Sequence, residues 1–349
     1  MAFTAGELAN IANAALDFYI KGPAMKQTIQ DRPLYDAVRT KQKTFPGGKE
    51  NISIPVKGDY TTAISGFTHD DTVSYSNPAN IKRAAFPWKE IHAGIALTLT
   101  ELKKDGISVV DSADSASVTN HSKRELTALT GLLEDKLDDM SEGWARTFND
   151  MLWADGTQDA KEIAGIASII SDTATTGVIG GLDRATISWW RNREKTAAGS
   201  GAITSNTSTQ ALIKALNSEM RQLRRYGGRP TLFLAGSDFL DALGNELRLN
   251  GNHSDTGFSR KSNTDISMAE IIYKGNVFQY DPTLDDLGKQ KYCYIIDPRH
   301  LYLDTMDGED MKQHTPTRPA DQYVMYRAMT YTGGLVADQM NCHGVYEIS

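Results

Sequence analysis

The chain has 349 residues, 40% of them hydrophobic, enough for two domains or for one elongated body with a second lobe. Its 44 acidic and 37 basic residues leave a formal charge of −7, and Lys103-Lys104 and Arg224-Arg225 stand as isolated pairs, so no basic stripe marks a reader of nucleic-acid phosphates. Cys293 and Cys342 give no disulfide framework, no stretch nears the ~20 apolar residues of a membrane span, and Met1–Glu7 lacks a signal-peptide pattern; the expectation is a soluble chain made in a reducing cytosol.

The first segment, residues 1–44, holds an amphipathic stretch (Leu8, Ile11, Ala15, Phe18, Tyr19) and then a polar part from Lys21-Gly22-Pro23 to Arg32-Pro33. That part is too polar to build a core and reads as an arm needing a partner surface. Residues 45–101 turn to period two: Ile52, Ile54 and Val56 alternate with polar residues, as do Ile91, Ala93, Ile95, Leu97 and Leu99. Turn signals at Gly58-Asp59, Ser65-Gly66, Asp70-Asp71 and Asn77-Pro78 separate the runs, which predicts a long, irregular β-hairpin. A lone hairpin is marginal in water, so it must lie on its own domain or on a neighbouring subunit; its length favours the neighbour.

Ser122-Lys123-Arg124-Glu125 is a capping box, and Leu126, Leu129, Leu133, Leu137, Met140, Trp144, Phe148 and Met151 follow at spacings of three and four. Glu134, Asp135, Asp138, Asp139 and Glu142 crowd another face, and Gly156 is a plausible stop. The prediction is one helix of about 30 residues, roughly 45 Å long. Gly131 and Gly143 argue against a coiled-coil seam, leaving an amphipathic helix laid across a sheet. Further on, Leu212, Ile213, Leu216, Met220 and Leu223 mark a second helix ended by Gly227-Gly228. An apolar strand at Thr231–Ala235 and a third helix, capped by Ser237 and running through Phe239, Leu240, Leu243 and Leu247, complete a compact α/β lobe. Residues 250–264 form a polar loop. Strands follow at Ala269–Tyr280 and Tyr292–Ile296, with turns at Asp281-Pro282 and Asp297-Pro298. The end is strand-like at Tyr323–Tyr331 and Leu335–Ile348, broken by Gly333-Gly334.

Catalytic signatures do not emerge. There is no Gly-x-Ser-x-Gly elbow and no His-Glu-x-x-His, and Gly47-Gly48-Lys49 lacks the rest of a phosphate loop. His69, His92, His121, His253, His300, His314 and His343 lack metal-ligand spacing, and the acids Asp304, Asp307, Glu309 and Asp310 around Gly308 miss the EF-hand pattern. Glu134 and Asp138 share a helix face but have no pocket to shift their pKa values. Lys57-Gly58-Asp59 is a tripeptide that arises readily by chance in an exposed turn. No cofactor, metal or catalytic residue is expected.

The densest local signal runs from Thr176 to Asn192: a glycine run at Gly177, Gly180 and Gly181, then Asp183-Arg184, then Trp189-Trp190-Arg191-Asn192. Two of the five tryptophans sit here side by side, which describes a sharply bent loop followed by a bulky anchor. Together with Thr332-Gly333-Gly334-Leu335-Val336 and Asn341-Cys342-His343-Gly344-Val345, this segment resembles the major capsid proteins of tailed double-stranded DNA phages with the HK97-like fold.

That resemblance implies an α+β chain with an N-terminal arm at 1–44, an extended β-hairpin (the E-loop) at 45–101, and a peripheral domain with a long spine helix at 102–169. An α/β axial domain would fill 170–300, and 301–349 would return to the peripheral domain. It implies a structural, non-enzymatic subunit forming pentamers and hexamers of an icosahedral head, virion-located and assembled in the host bacterial cytoplasm. Double-stranded DNA would be enclosed without sequence-specific binding or membrane. Since the arm begins almost at Met1, a separate scaffolding protein is expected and proteolytic maturation is not; a portal protein and decoration proteins complete the partners. Residues offered for intersubunit or structural roles are Ile52, Ile54, Val56, Lys57, Lys82, Lys89, Asp183, Arg184, Trp189, Trp190 and Arg191. Some relatives form Lys–Asn isopeptide crosslinks, and Lys57, Lys82 and Lys89 lie in or near the expected E-loop, but no acceptor Asn or catalytic carboxylate is identifiable and no crosslink is predicted. Two other readings stay open: an encapsulin-like compartment shell, marked by enzyme cargo, and an α/β enzyme holding a phosphorylated ligand at Gly177–Gly181, marked by a ligand-dependent melting shift.

Overall fold

The computed structural model describes residues 31–58, 64–73, 75, 80–98, 100, 104, 123–249, 271–314 and 324–349. Expectations on residues 1–30, Asp59, Asn77-Pro78, Leu99, Ser122, the loop 250–264 and Tyr323 lie outside these residues. So do those on the side chains of Leu97, Leu126, Leu129, Leu133, Glu134, Asp135, Leu137 and Asp138.

In chain order the elements are α1 (Pro33–Thr40), β1 (Lys43–Phe45), β2 (Asn51–Lys57), β3 (Ile81–Pro87), β4 (Lys89–Thr98), α2 (Lys123–Trp153) and α3 (Ile166–Ile169). Next come β5 (Val178–Ile179), β6 (Leu182–Asp183), a 3-10 turn (Ser188–Trp190), β7 (Arg193–Lys195), α4 (Ala211–Arg224), β8 (Leu232–Ala235) and α5 (Ser237–Leu249). The chain ends with β9 (Ile271–Tyr273), β10 (Asn276–Tyr280), α6 (Pro282–Asp286), β11 (Tyr292–Ile296), β12 (Leu301–Met306), β13 (Lys312–His314), β14 (Val324–Ala337) and β15 (Gly344–Glu347).

These elements fall into two units, taken one at a time: 91–147 with 309–331, and 31–90 with 148–308 and 332–349. In the first, β13 pairs antiparallel with β14, Lys312 opposite Thr330 and His314 opposite Ala328. His314 Nε2 and the Thr330 hydroxyl lie 2.7 Å apart. The buried Trp144 of α2 meets Tyr331 edge to face, with ring centroids 6.4 Å apart. The 31 residues of α2 match the predicted long helix.

The second unit is organised by a six-stranded sheet in the order β7-β15-β11-β8-β10-β9. On one face α4 and α5 bury Leu212, Leu216, Leu223, Phe239 and Leu243 against Phe233, Phe278, Cys293, Ile295 and Tyr346. At about 25 cal/mol per Å² of apolar surface removed from water, this layer is the main stabilising term of the lobe. Glu246, fully buried, explains how α4 begins: its carboxylate accepts from the backbone N–H of Leu212 (3.2 Å) and Ile213 (3.0 Å). It thereby meets the orphan donors of a helix whose preceding residue, Gln210, is left-handed (φ 52°) and gives no side-chain cap.

Several expectations change. Asp281-Pro282 opens α6 rather than a plain turn, with the Asp281 carboxylate accepting from Thr283 N at 2.9 Å. Ser237 is the first residue of α5, not its cap; its N–H donates to Asp285 Oδ1 at 3.0 Å. Within the expected run Ala269–Tyr280, whose first two residues lie outside the described ones, residues 271–280 form a hairpin, β9 and β10, folded at Lys274-Gly275, both at positive φ. Gly333-Gly334 does not break β14, which runs on past it; a Cβ at Gly334 would stand 2.6 Å from the Pro87 carbonyl, so glycine here admits a second backbone. β4 leaves the hairpin of β2 and β3 and pairs with β14. β15 lies between β7 and β11 in the lobe's own sheet, although the resemblance placed all of 301–349 elsewhere. At the end of the expected arm, Leu34 and Val38 are buried and β1 pairs parallel with β12, Lys43 opposite Asp304. The last residues of that arm therefore find their surface within the chain.

Candidate functional site

The Thr176–Asn192 segment builds a small scaffold from its own backbone. Gly180 (φ 59°) and Gly181 (φ 78°) make the two-residue turn joining β5 to β6, a conformation that side chains with a Cβ rarely adopt. Trp190 lies under this turn, 1% exposed, and donates Nε1–H to the Ile179 carbonyl at 3.0 Å. Trp189 packs on it edge to face, with centroids 6.0 Å apart, and is half-buried.

Arg184 is buried, and among the described residues no carboxylate meets it. Its guanidinium donates to the Thr176 carbonyl (2.5 Å) and to Asn192 Oδ1 (3.1 Å). Burial first, and the nearby Arg191 charge second, lower its pKa. Asp183 does not pair with it: Asp183 Oδ1 accepts from Ala185 N at 2.9 Å and holds the following turn. Arg191 closes the loop by donating Nε–H to the Arg184 carbonyl (2.6 Å) and an Nη2–H to the Ala185 carbonyl (2.7 Å). Buried Asn192 ties the segment to Ser171, accepting from its N–H at 3.3 Å and donating to its carbonyl at 2.9 Å. The segment continues into β7, where Arg193 meets Glu219 of α4 through two 2.9 Å bonds.

Onto this scaffold the β2–β3 hairpin docks. Its register sets Ile52 opposite Phe86, Ile54 opposite Ala84 and Val56 opposite Lys82 on one face. Ile52, Val56, Ala84 and Phe86 are buried, and Ile54 is half-buried. Ala85 N–H donates to the Gly180 carbonyl at 2.9 Å. A Cβ at Gly180 would lie 3.1 Å from the Ala84 methyl, and one at Gly58 would fall 1.9 Å from the Trp189 ring. Two glycines thus let the base of the hairpin close onto the tryptophan segment. Between β2 and β3, Ile64, Phe67 and Tyr75 are exposed.

No family model matches the chain, and no curated protein does. Solved structures do. A chain of the Cyanophage A-1(L) capsid asymmetric unit superposes with a TM-score of 0.63 over 93% of this chain and 94% of its own, at 16% identity. The capsid of a native gene transfer agent particle gives 0.51 over 97% and 98% at 13% identity, and a chain of Mycobacterium phage Bobi gives 0.51 over 97% and 99% at 10%. The chain has the HK97-like capsid fold.

Within this capsid fold the sequence-predicted residues separate into groups. Ile52, Ile54 and Val56 line the docked face of the hairpin, while Lys57 is exposed and Lys82 and Lys89 are half-buried. Arg184, Trp190 and Arg191 together hold the scaffold, and Trp189 forms the outer surface against Gly58. Among the described residues no helix begins at Gly177–Gly181, and the Gly180 carbonyl serves Ala85.

Sequence reasoning missed the buried polar groups that lock the lobe. Asp297 accepts from Arg229 N (2.7 Å) and from the Arg299 guanidinium; burial opposes its charge, but these donors hold its pKa below the usual range. Asp281 also accepts from Trp153 Nε1 at 3.2 Å, and burial raises its pKa to about 6. His343, fully buried, accepts from Asp297 N through Nδ1, and burial lowers its pKa to about 4. Cys342 lies 3.5 Å from His343 Nε2, yet burial raises the thiol's pKa and withholds the thiolate a nucleophile needs. Only the two Asp-Pro pairs, Asp281-Pro282 and Asp297-Pro298, carried a legible signal, an acid before a proline whose carboxylate accepts from the backbone N–H two residues on.

Proposed function

We propose that this chain is a structural major capsid protein that self-assembles into pentamers and hexamers of an icosahedral phage head around double-stranded DNA. The observation that carries this reading is the likeness to the cyanophage capsid chain over nearly the whole of both chains. The hairpin supports it: its base is fixed on its own chain while Ile64, Phe67 and Tyr75 stay uncovered, which suits an element finished by a neighbouring copy. Its work is mechanical rather than catalytic, many weak contacts acting together. The other partners are a separate scaffolding protein, a portal protein and decoration proteins. DNA is held without sequence-specific contacts and no membrane takes part. The subunit is assembled in the host bacterial cytoplasm and ends in the virion.

Expression with and without a candidate scaffolding protein, followed by electron microscopy of the sedimenting fraction, tests this. Closed shells tens of nanometres across or hexamer sheets are expected. A uniform monomer or dimer under both conditions would overturn the reading, and shells that co-purify with enzyme cargo would convert it to a compartment.

A further inference from the structure

Two surface patches of opposite charge sit at opposite ends of the six-stranded lobe, each around an exposed large apolar side chain. At the end where α4 stops and β8 begins, Arg221, Arg224, Arg225 and Arg229 are exposed around Tyr226, itself 61% exposed, with the Arg225 guanidinium 5.4 Å from its ring centre. At the end where β8 stops, Asp238 and Asp241 of α5 and Asp286 of α6 are exposed around Leu287, 50% exposed. The strand fixes the separation: Arg229 N–H meets Asp297 beyond one end of the β8–β11 pair, and Gly236 N–H meets the Tyr292 carbonyl at the other.

Among the described residues none of these four arginines and none of these three aspartates pairs with an opposite charge. The acidic end also carries Asp285, which is held by the Tyr280 hydroxyl and Ser237 N, as well as Lys289, which donates to the Tyr294 hydroxyl, and the exposed Lys291. Helix dipoles favour arginine at the end of α4 and aspartate at the start of α5. They do not account for Arg229 or Asp286, which lie outside those turns, nor for Tyr226 and Leu287 left in water.

We infer that the Arg/Tyr226 end of one copy docks on the Asp/Leu287 end of the next. Such a contact is heterologous: two different patches of one chain meet, and repetition closes a ring when the rotation allows. Arginine and tyrosine are the residue types that anchor interfaces, and complementary charge sets the register. This rests on the capsid-subunit reading above and names the residues that join its copies.

The test is a charge swap in the full chain, read by sedimentation velocity and electron microscopy, with the circular-dichroism melt as a check on folding. Arg224→Glu with Arg225→Glu, and separately Asp241→Lys with Asp286→Lys, should each raise the concentration needed for assembly at least tenfold. Combining all four should restore it, since the new ends again complement each other. Single-end variants that assemble like the parent, or a folded combined variant that fails to recover, would overturn the contact. Arginine variants that assemble normally but lose binding to a random-sequence DNA duplex would overturn it in favour of a nucleic-acid surface. A parent chain that stays monomeric with and without scaffold would remove the underlying capsid reading as well, which distinguishes the two failures.

Discussion

The six-stranded lobe and the β2–β3 hairpin solve the same problem by different means. The lobe brings strands from five separate stretches of chain together and seals one face with two helices, so its core is complete within itself. The hairpin has only two strands and owes its order to a foreign surface, the Gly180 turn and Trp189. One region draws its stability from depth, the other from a fitted seat. If so, the seat should be lost without melting the lobe.

Four measurements test this contrast. Phe278→Ala, in the centre of the lobe core, should cost about 3–5 kcal/mol and lower the melting temperature of the whole unit. A change confined to local probes would show that the lobe does not unfold cooperatively. The buried titrating pair gives the next effect. Asp281 has its folded pKa raised to about 6 from 3.8, so it binds more protons when folded. The stability it allows is present below 3.8 and is lost as pH rises through 6, about 3 kcal/mol in all. His343 runs the other way: its folded pKa falls to about 4, so its contribution is present above 6.5 and is lost as pH falls toward 4. The two offset each other between pH 4 and 6. Asp281→Asn should therefore unmask a loss of stability on acidification across that window, which denaturant titrations at successive pH values would detect; a flat profile would refute the opposition.

The seat itself is probed by Gly180→Val. A β-branched residue at φ 59° set 3.1 Å from the Ala84 methyl should cost about 1–3 kcal/mol, felt by the hairpin. Hydrogen exchange at Ala85 should accelerate while the amides of β8 and β11 stay protected; equal loosening of both would deny the hairpin its separate seat. Smallest is the cap of α5. Asp285→Ala should cost about 1 kcal/mol and Ser237→Ala within about 0.5 kcal/mol, by chemical denaturation, because the carboxylate from α6 holds the first-turn donor. The reverse ranking would return the cap to Ser237.

What was legible in the sequence was whatever short-range pattern decides. The periodicity from Leu126 to Met151 announced α2, and Leu212 to Leu223 announced α4, because a helix face repeats within a few residues. The alternation at Ile52–Val56 likewise showed which face of the hairpin would be covered. The same alternation at Ile91–Leu97 could not say that β4 would leave the hairpin for β14, since partner choice is a long-range matter. Gly333-Gly334 looked like a break because a glycine that admits Pro87 is indistinguishable, locally, from one that bends the chain. Asp285 replaced Ser237 at a cap from 48 residues away. In the site, Trp189-Trp190 stood out as an anchor, but which ring faces in and which meets Gly58 depends on the hairpin above them.

The position of β15 has a consequence in time. With Gly344–Glu347 lying between β7 and β11, the sheet consists of two unjoined parts until these residues have been made. Some 50 residues separate the synthesis of β11 from that of β15, roughly 2–10 s at ribosomal speed. During that interval the faces awaiting Val345 and Tyr346 stay open, so the lobe closes only near the end of translation of this stretch. The six-stranded sheet is therefore joined late, after the residues of the hairpin's seat have already been made.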